Sequence, residues 1–491
     1  MRNKVTPGRP KVVIHAMCMA LLLTALPTNA SDLTLAFNAQ TQWLALRLPN
    51  SGGQVAVVGG RDDRGQPQLA IAHLRSTKLD VTQIALPQDT VAIDVGPVDA
   101  NTDALFILAA SGVYRLDGQS TQPARVADAP SIFRGRSFSA LTSAIDFARD
   151  IDGDEAAELL VPDFDTLRIF DDTTYAALGT PALPSVRRSY ENAVSYRPPK
   201  FAAATAQGAA AILAIRGNDV HWFGRNDGAY ARESRVRNSR LGLASERDIE
   251  VFYNGDDEVD QSDVMLREAE LLRDINGDGL PDLVTLETRS NGVFDKTSTY
   301  RFHKAIRDND TLRFAPEPNT TLVSTGYQFG LTPITLDDAH EALVSPSIKI
   351  GLRSIISALF AKSVTLRVSI YATNDDGDLP AEPTTIIKEK IRFDFSSGQV
   401  ELPTIEFGDM DGDGKRDLIL KSRKGQLAWR RNLGAGVFSN DQQLMAIDAP
   451  ANGEQVGVVD LNGDGKDDLI VRYGPADGED RQRRIAWITA P

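Results

Sequence analysis

Short apolar stretches alternate with turns along most of the chain, and one acidic segment recurs between them. It reads DIDGDEAAELLV from Asp150, DINGDGLPDLVT from Asp274, DMDGDGKRDLIL from Asp409 and DLNGDGKDDLIV from Asp460. Each copy follows a short apolar stretch and is itself followed by leucine and further apolar residues. This pattern is typical of two strands joined by a tight loop. The sequence therefore predicts four strand pairs, each with an acidic loop.

The spacing of the four copies indicates a repeat protein. Their first residues are 124, 135 and 51 positions apart, so each long gap is about twice the short one. Degenerate copies fit these gaps near residues 205 and 336, and another fits near residue 99. Units then begin near residues 99, 150, 205, 274, 336, 409 and 460. A unit of about four short strands in roughly 50 to 70 residues is typical of a β-propeller blade.

We therefore predict an all-β fold, a seven- or eight-bladed β-propeller of four-stranded antiparallel blades that forms a single domain over residues 31–491. Residues 43–86 offer one further blade, and residues 32–37 offer an outer strand that closes the ring on the last blade. If the N-terminal segment only completes the last blade, the count is seven. Apolar residues at helical spacing predict a short helical insert at about 347–364. The insert either packs on its own blade or serves as a docking surface.

The first 30 residues have the features of a secretory signal peptide. Four basic residues precede a mostly apolar run from Val12 to Leu26, and small residues lead to a cleavage position after Ala30. The expected location is secreted or periplasmic, of bacterial type, with no membrane span after cleavage. The single cysteine, Cys18, lies in this segment. The mature chain would then have neither disulfides, nor a cysteine nucleophile, nor thiolate metal sites.

The charge of the chain narrows the choice of partners. Residues 1–30 hold four basic and no acidic residues, so their removal takes the formal net charge from −14 to −18. An acidic surface disfavours nucleic acid and anionic membranes as partners. The sequence also lacks a nucleophile elbow, an HExxH zinc motif and a phosphate-binding glycine loop. No catalytic residue is predicted.

The acidic loops have the donor pattern of a calcium site. Oxygen-bearing side chains stand at positions 1, 3, 5 and 9, and the carbonyl of position 7 offers a further oxygen; calcium takes six to eight such ligands. Three or four carboxylates around one point repel each other without a cation. The alternative is a set of acidic turns that bind no metal. The predicted side-chain ligands are Asp150, Asp152, Asp154, Glu158, Asp274, Asn276, Asp278, Asp282, Asp409, Asp411, Asp413, Asp417, Asp460, Asn462, Asp464 and Asp468. The predicted backbone ligands are the carbonyls of Ala156, Leu280, Lys415 and Lys466.

The last acid stands at position 9 and apolar β-type residues follow it, so the loops do not fit the EF-hand. The loops DINGDGLPDL, DMDGDGKRDL and DLNGDGKDDL, with the later LAWRRNLGAGVF, resemble the FG-GAP/VCBS repeats of integrin-α-like β-propellers. The resemblance implies a propeller with calcium on one face, about four Ca²⁺ sites in all, in loops that join the first two strands of a blade. The copies near 205 and 336 depart from the pattern, so no metal is expected there.

Three classes of function follow from this interpretation, and one of them is a purely structural part of an envelope assembly. The first is a calcium-binding module for adhesion or scaffolding, whose partner is a protein or a glycan. The alternative is a calcium-dependent carbohydrate-active enzyme of the polysaccharide lyase kind, which would need a basic residue beside the metal. Because propeller folds host many functions, the fold alone does not choose between them.

Overall fold

The computed structural model confirms an all-β propeller and sets the number of blades at eight. It describes residues 33–48, 53–75, 78–117, 120–134, 140–190, 193–197, 200–206, 209–216, 218–226, 228–245, 262–291, 296–308, 311–325, 327–328, 330–348, 363–394, 399–400 and 402–491. Every pairing within its sheets is antiparallel, as consecutive strands joined by short turns require. The only helical elements in these ranges are three 3₁₀ turns, Ser239–Leu241, Gly453–Gln455 and Pro475–Asp477.

The N-terminal segment closes the ring and also begins a blade of its own. Strand β1 (Leu33–Thr34) pairs with the last strand of the chain, and the next five strands form blade 1. The chain thus gains an eighth blade without leaving an open edge at the point of closure. Blade 1 contains β2 (Asn38–Ala39), β3 (Leu44–Arg47), β4 (Gln54–Arg61), β5 (Pro67–Arg75) and β6 (Lys78–Ala85).

Blades 2 to 4 have four strands each. Blade 2 contains β7 (Thr90–Asp99), β8 (Thr102–Ala109), β9 (Val113–Leu116) and β10 (Ala124–Ala127). Blade 3 contains β11 (Ala148–Arg149), β12 (Glu158–Pro162), β13 (Leu167–Phe170) and β14 (Ala177–Gly179). A separate hairpin of β15 (Val186–Tyr190) and β16 (Ala193–Arg197) follows. Blade 4 contains β17 (Phe201–Ala206), β18 (Ala209–Arg216), β19 (Asp219–Asn226) and β20 (Ala229–Arg237).

Blades 5 and 6 are the longest. Blade 5 contains β21 (Ser262–Arg273), β22 (Asp282–Asn291), β23 (Lys296–His303) and β26 (Thr320–Thr325), and the hairpin of β24 (Ala305–Asp308) and β25 (Thr311–Phe314) lies between its last two strands. Blade 6 contains β27 (Tyr327–Gln328), β28 (Thr332–Thr335), β29 (Glu341–Ile348), β30 (Ser363–Ala372), β31 (Thr385–Asp394) and β32 (Gln399–Val400). The ends of the predicted helical insert are strand, since β29 includes Ser347 and Ile348 and β30 begins at Ser363. Its centre, 349–362, lies outside the described residues and stays a prediction.

Blades 7 and 8 complete the ring. Blade 7 contains β33 (Ile405–Gly408), β34 (Asp417–Lys421), β35 (Gln426–Arg430) and β36 (Gln443–Asp448). Blade 8 contains β37 (Val456–Val459), β38 (Asp468–Arg472), β39 (Arg484–Ile488) and, as its fourth strand, β1. All seven predicted repeat positions fall where the first strand of blades 2 to 8 turns into the second.

The hydrophobic core lies between neighbouring blades. Phe37 and Val58 from blade 1 pack with Ile470 and Trp487 from blade 8, and all four side chains are buried. Alternate residues of each strand face opposite sides of the sheet, so every blade contributes to two such clusters. Among the residues described above, no helix has the length and apolar character needed to cross a membrane.

Candidate metal centre

The four acidic loops occupy equivalent places in blades 3, 5, 7 and 8. Each leaves the end of a first strand and ends where the second strand begins, and position 9 is the first residue of that second strand in all four blades: Glu158, Asp282, Asp417 and Asp468. The prediction that the loops join the first two strands of a blade is therefore confirmed. Helices do not flank any of them, in contrast to an EF-hand.

The aspartate at position 1 holds the loop in a tight curl. Its carboxylate accepts the backbone N–H groups of positions 4 and 6: in the third loop Gly412 N lies 2.7 Å and Gly414 N 2.8 Å from the Asp409 oxygens. The same pair of bonds forms on Asp150, Asp274 and Asp460. Positions 4 and 6 have positive φ throughout, which glycine adopts without strain. In the first loop Glu155 takes position 6 at φ 71°, so this loop carries local strain.

The acid at position 9 ties the loop to the body of its blade. Asp417 accepts the N–H of Met410 at 3.1 Å with one oxygen and the N–H of Asn432, beyond the third strand, at 2.7 Å with the other. Asp282 and Asp468 make the same pair of bonds. Glu158 makes the first of them.

Burial raises the pKa of each position-9 acid, and backbone hydrogen bonds only partly oppose the change. The pKa is about 8 for Glu158, about 6 for Asp282, about 7 for Asp417 and about 7 for Asp468. The acids at other positions of the same loop contribute to each rise. A cation in the loop would offset this repulsion.

Positions 3 and 5 separate the loops into two chemical types. In the second and fourth loops position 3 is asparagine, and its amide donates to the position-5 carboxylate, from Asn276 to Asp278 and from Asn462 to Asp464, at 3.0 Å in both. In the first and third loops position 3 is aspartate. One oxygen of Asp152 and one of Asp411, Oδ1 in both, is buried and has no hydrogen-bond partner.

Each aspartate at position 3 is matched by an arginine. Arg225 pairs with Asp152 in the first loop. In the third loop Arg431 pairs with Asp411 at 2.8 Å and with Asp413 at 3.2 Å. The acids of the second and fourth loops have no such ion pair within the described part of the chain. The first and third loops, with four acids each, therefore have a guanidinium beside them. The second and fourth loops, with three acids each, have the asparagine amide at position 3 instead.

The residues fit a hard divalent cation best in the first and third loops. Carboxylate oxygens of Asp150, Asp152 and Glu158 lie within 4.8 Å of one another, and so do those of Asp409, Asp411 and Asp413. An unpartnered buried carboxylate oxygen is costly, and a cation at the centre of the loop would satisfy it.

The position-7 carbonyls, which are the predicted backbone ligands, are placed as calcium binding would require. The N–H groups of all four position-7 residues donate to the position-5 carboxylate, while their carbonyl oxygens accept no hydrogen bond from the residues described. These residues are Ala156, Leu280, Lys415 and Lys466.

The degenerate copies have acquired other roles. In blade 6 His340 lies between Asp337, at 2.7 Å, and Asp375, at 3.3 Å. Partial burial disfavours its charge, but these two hydrogen bonds raise the pKa of His340 overall. In blade 2 Asp103 forms an ion pair of 2.6 Å with Arg47 of blade 1. The blade 4 copy falls partly on residues 207–208, outside the described ranges, and has no acid in its sequence.

The sequence analysis missed the two arginines. Arg225 comes from blade 4 and reaches a loop of blade 3, so no spacing rule connects them. Arg431 stands 14 residues after the last acid of its own loop. In both loops, the aspartate that replaces asparagine at position 3 could have indicated that a basic side chain lies nearby.

Comparison with known protein families finds a match for one segment of the chain. A family model for the FG-GAP-like repeat matches residues 409–471, which include the third and fourth loops. No curated protein matches the chain.

Similarity to solved structures is weak. The extracellular domain of a putative hybrid two-component system from B. thetaiotaomicron is 10% identical, with 94% of this chain and 67% of that chain covered and a TM-score of 0.25. The V. cholerae biofilm matrix protein Bap1 is 11% identical, with coverage of 92% and 77% and a TM-score of 0.25. The WD40 domain of SCAP from fission yeast is 9% identical, with coverage of 73% and 89% and a TM-score of 0.24.

Proposed function

Since the chain carries an FG-GAP-like repeat at residues 409–471 of an eight-bladed propeller, we propose that it is an exported calcium-binding module that binds a protein or a glycan. One observation carries the calcium proposal. Asp152 and Asp411 each bury a carboxylate oxygen that nothing in the described chain satisfies, and each does so beside two further carboxylates. The donors are all oxygen atoms, which favours calcium over zinc or copper.

Calcium supplies two positive charges that neutralise the acids and hold each loop between its two strands. This chain's own residues prepare the loop in advance. The position-1 aspartate curls the backbone, and in the second, third and fourth loops the position-9 acid anchors it to the residues that follow the third strand. Because the unfolded chain has no preformed site, binding stabilises the fold, by about 2.7 kcal/mol for a site at a hundred times its Kd.

The test of calcium binding is thermal unfolding of chelator-treated protein with and without millimolar calcium. We expect a clear rise in Tm with calcium, and a smaller rise for Asp411→Asn. The matched control is Asp441→Asn, which removes an exposed acid of the same blade and should respond like the wild type. A Tm that ignores both calcium and chelator would contradict the proposal.

The binding role is tested separately from the metal. A glycan array is screened with calcium and with chelator, and the glycans that bind are then incubated with the protein and followed by ultraviolet absorbance for an unsaturated sugar product. Calcium-dependent binding without product supports a binding module. Formation of the product would overturn it in favour of the lyase alternative.

A further inference from the structure

A cavity of about 690 Å³ lies against the first strands of blades 3, 4 and 5. First strands of a propeller surround its central channel, so the cavity belongs to the channel wall. Its volume is in the range of small-ligand sites, about 300 to 1,000 Å³. Asp274 and Pro281 of the second loop are among the residues that line it.

Blade 4 provides the space for this cavity. Its first strand contributes Phe201, Ala202 and Ala203 to the wall, and two of these three side chains are methyl groups. Blade 4 is also the blade whose repeat has lost every acid. The blades on either side keep their acidic loops, so the cavity lies between the first and second loops.

Two arginines face this space from equivalent positions. Arg149 and Arg273 are the last residues of the first strands of blades 3 and 5, directly before position 1 of their loops, and both line the cavity. Blades 7 and 8 have Gly408 and Val459 at this position. Blades 3 and 5 pack on either side of blade 4, so the two arginines flank the part of the cavity wall that blade 4 provides.

Within the described part of the chain, most of the hydrogen-bonding capacity of this pair is unused. A guanidinium has five N–H donors. Arg149 bonds to the exposed carboxylate of Asp146 and lies over the Phe201 ring, 5.5 Å from its centre. The guanidinium of Arg273 donates no hydrogen bond within the described residues, and its ion pair with Glu341 is long, at 3.6 Å. Exposed pairs of this kind contribute about 1 kcal/mol or less, so a ligand can replace them.

The remaining charges of the cavity restrict the anion. Lys200 donates to the carbonyls of Ala269 and Glu270, at 2.8 Å and 2.6 Å, which fixes a third positive charge at the wall. The carboxylates of Asp146, Glu270 and Asp274 also line the cavity, and that of Glu270 lies 3.7 Å from the Lys200 ammonium. They would repel a phosphate dianion more strongly than a carboxylate, and they accept hydrogen bonds from hydroxyl groups. A ligand with one carboxylate and several hydroxyls matches both sets of groups.

We propose that the cavity binds the carboxylate of an acidic sugar, a uronate, between Arg149 and Arg273. The planar fork of arginine fits a carboxylate with two parallel hydrogen bonds, and the acids of the wall accept hydrogen bonds from the sugar hydroxyls. This inference deepens the proposed binding function, on which it depends, by naming the chemical class of the ligand.

The test is isothermal titration of the full chain with a galacturonate trisaccharide, in the presence of calcium. The neutral galactose trisaccharide is the matched ligand control. We expect binding of the acidic sugar only, and a loss of affinity of about tenfold or more, equal to about 1.4 kcal/mol, in Arg273→Gln. Arg289→Gln is the matched protein control, since this arginine lies on blade 5 and is 56% exposed, away from the cavity. It should bind as the wild type does.

The calcium response is measured on the same samples, so that the two proposals fail separately. Wild-type protein that shows the calcium-dependent rise in Tm but does not bind galacturonate would overturn the uronate site alone. Equal binding of the neutral sugar, or full affinity in Arg273→Gln, would also overturn it. Absence of the rise in Tm would overturn the calcium proposal whatever the sugar does.

Discussion

Replacing Arg431 by glutamine tests whether the guanidinium beside the third loop competes with the proposed calcium ion. Arg431 contacts one oxygen of Asp411 and one of Asp413, while the other oxygen of Asp411 is buried and unpartnered. Calcium bound to that free oxygen would share the carboxylate with a guanidinium of like charge. Removing the guanidinium should therefore strengthen calcium binding and weaken the calcium-free fold.

The structure sets the size of both effects. The Arg431 side chain is half exposed, so its ion pairs contribute about 1 kcal/mol or less to the calcium-free protein. Repulsion between two unit charges at about 4 Å is about 1 kcal/mol in water-like surroundings, hence at most about 2 kcal/mol for a divalent ion. We expect the calcium affinity of the third loop to rise between about threefold and about thirtyfold in Arg431→Gln.

The assay is calcium titration by calorimetry in a background where the other three loops are disabled by Asp→Asn at position 1 (Asp150, Asp274 and Asp460). The control is Arg423→Gln, an exposed arginine in the turn between the second and third strands of the same blade. It should leave the calcium affinity unchanged. If Arg431→Gln binds calcium as weakly as the control or more weakly, the idea that arginine and metal compete for this loop is refuted.

Three further predictions concern a buried acid of blade 7, the core and a contact between blades. Burial and the charge of Glu454 raise the pKa of Glu406 from its ordinary 4.5 to about 8. The folded chain then holds more protons than the unfolded chain between these values, so its stability should fall as the pH rises through this window. Glu406→Gln should remove the fall and be more stable at about pH 8 by on the order of 2 kcal/mol in urea unfolding with chelator; an unchanged pH dependence would contradict this. Phe37→Ala should lower the free energy of unfolding by about 3 kcal/mol, because this ring is fully buried between blades 1 and 8; a loss below about 1 kcal/mol would show that this contact does not close the ring. Asp103→Ala should cost about 2 kcal/mol by breaking the Arg47 contacts between blades 1 and 2, and Arg47→Ala combined with it should add little; full additivity in the double-mutant cycle would argue against a direct pair.

The repeat spacing predicted most of the fold because every blade turns from its first to its second strand in the same way. Even degenerate copies keep this frame, as at residues 336–340 of blade 6. The number of blades was left open because the N-terminal segment has two roles. Strand β1 completes blade 8 while β2 to β6 form blade 1, and a short outer strand gives no sequence signal that distinguishes these roles.

The candidate site was only partly predictable. Local spacing identified the carboxylates of each loop, since all of them come from one short segment. It did not reveal Arg225 or the Arg149 and Arg273 pair, because those contacts join different blades and depend on how the ring closes. Sequence spacing also gave no indication that the position-9 acids are buried, which is what raises their pKa.

Calcium binding by the acidic loops can be measured as the number of ions bound per chain. Chelator-treated protein without residues 1–30 is equilibrated with millimolar calcium, passed through a desalting column, and its bound calcium measured by elemental analysis alongside a variant with Asp→Asn at positions 1 and 3 of the third loop, Asp409 and Asp411. We expect about four ions for the wild type and about one fewer for the variant. A wild-type chain that retains its fold and holds no calcium would contradict this expectation.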